Sequence, residues 1–161
     1  PALAFGFLSA LGIVGVYFAA LKGHSLLAGM PEQIRQKIAS LGIGSPTRYL
    51  LFAAFVSFLH AFLEEYYWRG YVFDALKTRM RLSAAIALSS LAFMAHHVVI
   101  LHVYSSGRFW TGTLPLSLGV ALGGAVWAWI YHRAGSVVPG WISHAIIDLA
   151  IMAVGYDMAF R

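Results

Sequence analysis

Long apolar runs separated by short polar breaks set the organisation of this chain. Ala2 to Leu21 is an apolar stretch of about 20 residues, enough for a helix to cross a hydrocarbon core roughly 30 Å thick. It has no leading basic region, and so reads as a membrane helix rather than a signal peptide. Lys22 to Thr47 is the only extended polar region. Within it Pro31 suits the first turn of a helix, and Ile34, Ile38 and Leu41 recur at helical spacing. That pattern predicts a short amphipathic helix lying on the membrane surface, ended by Gly42, Gly44 and Pro46.

A second span begins near Arg48. Its apolar run from Tyr49 to Leu63 meets Glu64 and Glu65 and then continues through Tyr66, Tyr67, Trp68, Arg69, Gly70 and Tyr71. Further spans are predicted from about Leu82 to Tyr104, from Thr113 to Tyr131 and from Val137 to Tyr156. The expected fold is all-α: a polytopic membrane bundle of about five transmembrane helices with one amphipathic surface helix, forming one domain over residues 1–161. Gly119 and Gly123 make a GxxxG step in the fourth span, where small residues let helices approach closely. Packing within the chain is expected there, ahead of a dimer interface.

Composition agrees with a lipid solvent. Hydrophobic residues make up 60% of the chain and charged residues 11%, against about a quarter charged in soluble domains. The chain has no cysteine, which excludes disulfides and thiolate-bound metals. The net charge of +5 is spread over several loops. Basic residues of a membrane protein sit at headgroups, so the expected partner surface is the bilayer and not nucleic acid. The basic residues divide too evenly between the two sets of loops to assign an orientation. An integral multi-pass protein is expected, in the plasma or inner membrane if bacterial.

Ionisable residues inside spans are costly, at least about 2.5 kcal/mol each near the bilayer centre, and mark function by default. The second span carries Glu64, Glu65, Arg69 and Asp74; the third carries His96 and His97; the fifth carries His144 and Asp148. Depth tests whether they can meet. With the second helix ending at Trp68, Glu64 would lie only about 6 Å from that end, whereas His97 lies about 22 Å in from Leu82. Continuing the helix to Ala75 or Lys77 puts Glu64 roughly 17–20 Å deep and the levels match. The apolar Tyr71, Val72, Phe73 and Leu76 favour this longer helix.

Spacing then sorts the residues. Glu65 and Arg69 are i,i+4 neighbours, so Arg69 can neutralise Glu65 while Glu64 points elsewhere. His144 and Asp148 stand at the same spacing, as do Phe93 and His97. His96 faces about 100° away from His97, which suits packing or support of the site. His60, one turn before Glu64, is either a supporting or a core residue. A purely structural ion cluster is the competing interpretation, but two adjacent carboxylates and one arginine leave a charge unmatched.

In this order, Glu64-Glu65-x-x-x-Arg69, Phe93-x-x-x-His97 and His144-x-x-x-Asp148 resemble the three signatures of the CPBP family. It contains the CAAX prenyl endopeptidases of the Ras-converting type and bacterial relatives linked to bacteriocin processing and immunity. The similarity covers roughly Tyr49 to Tyr156. It implies an intramembrane endopeptidase acting on a membrane-anchored or prenylated peptide. By position, Glu64 and His97 would activate a water, and His144 with Asp148 would bind the developing oxyanion. Many members carry Asn at the last place, and an ionised Asp148 would repel an oxyanion. Asp148 is therefore either protonated or the residue that holds His144 as donor.

Zinc is the competing chemistry, because Glu64, His97 and His144 supply a two-histidine, one-carboxylate set with water as fourth ligand. No HExxH occurs in the sequence, and a cofactor-free mechanism is favoured. A proton-coupled transporter and a non-catalytic immunity protein on the same scaffold are the alternatives outside hydrolysis.

Overall fold

The computed structural model describes residues 1–104 and 108–161. Its helices in chain order are α1 (Ala2–Leu21), α2 (Met30–Ser40), α3 (Pro46–Lys77), α4 (Leu82–Tyr104), α5 (Phe109–Ala134) and α6 (Val138–Phe160). All but α2 are long and apolar enough to cross a membrane, and no strand occurs among the described residues. The fold is the expected all-α membrane bundle. α5 starts four residues before the expected Thr113, at Phe109, in a turn of π-helix. It ends at Gly135, whose φ of 64° caps the helix while its N–H bonds to the Tyr131 carbonyl. α6 runs past Tyr156 to Phe160.

α2 forms where Pro31 and the Ile34/Ile38 spacing predict it, but it is tied to the bundle as well as lying at its end. Ile38 is buried with Tyr49, Ala53 and Ala159, and Arg35 Nη1 donates to the Met158 carbonyl at 3.1 Å. On its outer face, hydrogen bonds from Gln36 and Arg35 hold the Glu32 carboxyl below the usual carboxylate range. Gly42, at φ 71°, turns the chain out of the helix.

The longest helix, α3, has a distinctive burial pattern. Its fully buried residues are Tyr49, Ala53, Ser57, Ala61, Glu65, Arg69 and Phe73, every fourth position without exception. In an ideal α-helix a four-residue step advances by about 400°, so such a row drifts roughly 40° per step around the axis. Two π-helical segments, Phe55–His60 and Tyr66–Phe73, hold more residues per turn and take up that drift. The row therefore stays on one face, and Glu65 and Arg69 point into the bundle together. Tyr66, Tyr67 and Tyr71 face outward. The wider turns also re-aim the backbone: the Phe58 carbonyl accepts Trp141 Nε1–H at 2.8 Å, latching α6 to α3.

α1 packs along α6. Gly6 lets the two backbones meet, since a Cβ there would stand 3.0 Å from the Ser143 carbonyl oxygen. At the far end Tyr17 donates to Asp157 Oδ2 at 2.8 Å, and Lys22 pairs with the same oxygen at 2.6 Å. α5 fits against α3 and α4 through Gly124, where a Cβ would lie 3.2 Å from both Arg69 Nη2 and a Phe93 ring carbon. The expected Gly119/Gly123 step is thus displaced. A Cβ on Gly119 would meet nothing within 4 Å, and one on Gly123 only the Trp127 ring of its own helix. A glycine pair in the sequence marks a candidate contact, but the neighbouring helix's position selects the face, here one residue further on.

Gly6→Val is expected to lower stability by about 1–3 kcal/mol through overpacking of α1 on α6. Gly119→Ala should leave it unchanged or slightly raised, since Ala is the better helix former. Thermal unfolding in detergent micelles, followed by circular dichroism, checks both; equal effects would contradict the close approach at Gly6.

Candidate active site

Three spans deliver the polar residues to one level of the bundle. α3 brings Glu64 and Glu65, α4 brings His96 and His97, and α6 brings His144 and Asp148. Adjacent residues on a helix point about 100° apart, which separates the two glutamates. Glu65 faces the interior and is wholly buried. Glu64 faces the histidines, with 12% of its side chain exposed.

Glu65 is the centre of the buried half. Its Oε1 pairs with Arg69 Nη1 at 2.9 Å and accepts from His144 Nδ1 at 2.9 Å. The i,i+4 pairing read from the sequence is present. The Arg69 guanidinium also lies 4.3 Å over the Phe93 ring, a cation–π contact worth about 2 kcal/mol when desolvated. Glu65 Oε2 stands where only glycine leaves room, since a Cβ on Gly140 would come within 2.9 Å of it.

Glu64 divides its two oxygens. Oε1 accepts from His96 Nε2 at 3.1 Å. Oε2 stands 3.7 Å from His144 Nε2 and 3.9 Å from His60 Nδ1, longer than a hydrogen bond. His60 is half-exposed at the rim. Asp148 Oδ1 lies 3.6 Å from His144 Nε2, so it faces the imidazole without bonding to it. His97 turns Nδ1 to the Phe93 carbonyl at 3.0 Å. A carbonyl only accepts, so Nδ1 carries the proton and Nε2 is bare in the neutral ring. The same logic applies to His144 if Glu65 is ionised: Nδ1–H donates, and Nε2 gains a proton only in the imidazolium.

Aromatic rings fix the imidazoles. Trp127 stacks on His144 at 4.0 Å between centroids, and its Nε1–H bonds Ser143 Oγ at 3.2 Å. Trp68 lies parallel to His96 at 5.5 Å, within 4° of coplanar. Phe93 meets His96, His97 and His144 edge-on.

Nine of the residues singled out in the sequence converge: Glu64, Glu65, Arg69, Phe93, His97, His144 and Asp148 in the interior, with His96 and His60 more exposed; Asp74 lies elsewhere, bonded to Tyr131 and Lys77. The partners differ from expectation in two respects: His144 is held by Glu65 rather than by Asp148, which stands 3.6 Å from it without a bond, and Glu64 has another histidine as its partner. The histidine bonded to Glu64 is His96, whereas His97 stands beside it, ring centroids 4.0 Å apart. Sequence reasoning also missed Trp68, Trp127 and Gly140. Trp68 and Gly140 were within reach, each one turn from Glu64 or His144; Trp127 sits on a different helix and leaves no spacing signal.

For a metal, beside the expected Glu64, His97 and His144, a candidate set is formed by Glu64, His96 and His97. One ligand atom from each lies within 4.8 Å of the others. Tetrahedral zinc wants ligand atoms roughly 3.3–3.6 Å apart, so this set fits after a small closure. His97 has the carbonyl-bound Nδ1 typical of a zinc ligand.

Three spans of a multi-pass helical bundle thus bring the residues of the three sequence signatures to one carboxylate–histidine cluster. A family model described as Type II CAAX prenyl endopeptidase Rce1-like matches residues 46–150, from the start of α3 to just past Asp148. The chain belongs to this family of intramembrane proteases. Comparison with curated proteins and with solved structures finds no match.

Arg69→Met should destabilise the protein by about 3–5 kcal/mol by removing the guanidinium that balances buried Glu65 and leaving it only the His144 bond. Replacing both partners with Met should recover much of that loss. Unfolding of the two variants in micelles checks this; a double variant no more stable than the single one would contradict the pairing.

Proposed function

We propose that the protein is an intramembrane endopeptidase in which Glu64 and His97 activate a water and His144 stabilises the oxyanion. The observation carrying this reading is the free face of Glu64. Oε2 lies 3.7 Å from His144 Nε2 without bonding it, and His97 presents its unprotonated Nε2 at the same level. A water seated there can give a proton to Glu64 while its oxygen attacks the scissile carbonyl carbon. The resulting oxyanion is met by His144 Nε2–H. That proton exists only in the imidazolium, and Glu65 and Asp148 supply the flanking negative charge it needs. Asp148 acts in this scheme as a counter-charge that keeps His144 in donor form, not as a donor itself. Collapse of the intermediate breaks the C–N bond, and the proton held by Glu64 passes to the leaving amine.

A lipid-anchored peptide, of the prenylated CAAX type, is the substrate class this reading favours. A groove of about 370 Å³ lined by Phe58, Leu59, Phe62 and Trp141 opens on the α3–α6 flank. Its lining is apolar, which suits an acyl or isoprenyl chain, and Trp141 stands on α6 one turn before His144.

A zinc-dependent version of the same hydrolysis is the second reading, favoured by the proximity of Glu64, His96 and His97. Bound there, the metal would supply Lewis acidity and a water of lowered pKa.

Purified protein in proteoliposomes should cleave a fluorogenic farnesylated CAAX peptide. Glu64→Gln and His97→Ala should each lose about 10²–10⁴-fold in kcat while remaining folded. Activity that survives a strong chelator would sink the zinc reading, and wild-type-like cleavage by Glu64→Gln would sink the glutamate one.

A further inference from the structure

Glu64 is held by a histidine that the three signatures do not use. His96 lies one residue before the signature His97, and its Nε2 stands 3.1 Å from Glu64 Oε1. Trp68 stacks on the ring at 5.5 Å and Phe93 meets it edge-on at 5.3 Å, which directs its Nε2 edge toward Glu64, while the rest of the side chain is partly exposed.

The opposite nitrogen supports this direction. His96 Nδ1 is buried with no hydrogen-bond partner. A proton there would be a buried donor with nothing to accept it, whereas a bare nitrogen in an apolar setting costs less. Nε2 therefore carries the proton of the bond and donates it to Glu64 Oε1.

We infer that His96 is a positioning residue for Glu64: it occupies Oε1 and so makes Oε2 the oxygen that receives the proton of water. This rests on the hydrolytic reading above and sharpens it, because it separates the two carboxylate oxygens into one held and one reactive. The holding bond also sets the carboxylate plane, which directs the Oε2 lone pairs toward the space beside His144 and His97.

The test uses the full chain. His96→Phe keeps a flat ring for Trp68 to stack on and removes the donor; His96→Gln restores an N–H near the same place. With the farnesylated CAAX peptide, His96→Phe should lower kcat by about 10–100-fold, the loss of a hydrogen bond to a charged group. KM should stay within about twofold, and His96→Gln should regain most of the rate. An unchanged kcat in His96→Phe, or equal losses in the Phe and Gln variants, overturns the assignment. Histidine ¹⁵N spectra of the wild-type protein in micelles, with the His96 signal identified by its loss in His96→Phe, read the tautomer without relying on turnover. A proton on Nε2 supports the assignment, and an Nδ1–H tautomer with a bare Nε2 overturns it. Absence of cleavage by the wild-type protein would remove the proposed function, while the spectrum would still report whether His96 donates to Glu64.

Discussion

The structure depends on the burial of Glu65. A carboxylate with no exposed surface in a membrane helix must be matched at once, and it is matched twice, by Arg69 one turn along α3 and by His144 on α6. Removing the match would leave an isolated ion in an apolar medium. Each partner then imposes its own demand. The guanidinium needs space and a polarisable surface, which Gly124 and the Phe93 ring provide. The carboxylate's other oxygen needs room, which Gly140 leaves. Three helices are thereby fixed relative to α3 by one charge, and His144 is oriented as a by-product.

This arrangement gives the two adjacent glutamates opposite settings. Glu65 is closed to solvent and matched by Arg69 and His144. Glu64, rotated by one residue, is 12% exposed and keeps one oxygen without a hydrogen bond. Under the proposed mechanism that oxygen is the one that takes a proton, so the doubled acid would separate holding the bundle together from the chemistry, by helix geometry alone.

Much of this was legible in the sequence. The spans follow from apolar run length, and the depth comparison between Glu64 and His97 required a long second helix, which α3 is. The Glu65–Arg69 pairing follows from i,i+4 spacing. Other features depend on how helices sit against each other. Spacing and depth favour His97 as the partner of Glu64, and the rotation of α4 brings His96 into the bond instead. Gly119 and Gly123 form a familiar step, yet the contact falls on Gly124 because α5 turns that face toward Arg69. The π segments carry no propensity signal of their own; the four-residue recurrence of small and polar residues from Tyr49 to Phe73 was their only trace, and it becomes readable once burial is known.

That recurrence makes α3 intolerant of changes in length. Its buried row stays in phase because the π turns absorb a fixed surplus of residues. Losing or gaining one residue between Ala53 and Arg69 would rotate everything beyond it by about 100°, carrying Arg69 and Phe73 toward lipid. Side chains on the outer face, such as the exposed Leu63 and Tyr67, carry no such constraint from the bundle. The spacing from Tyr49 to Arg69 thus tolerates exchange of side chains far better than insertion or deletion, and acts as a ruler that keeps the buried row facing inward.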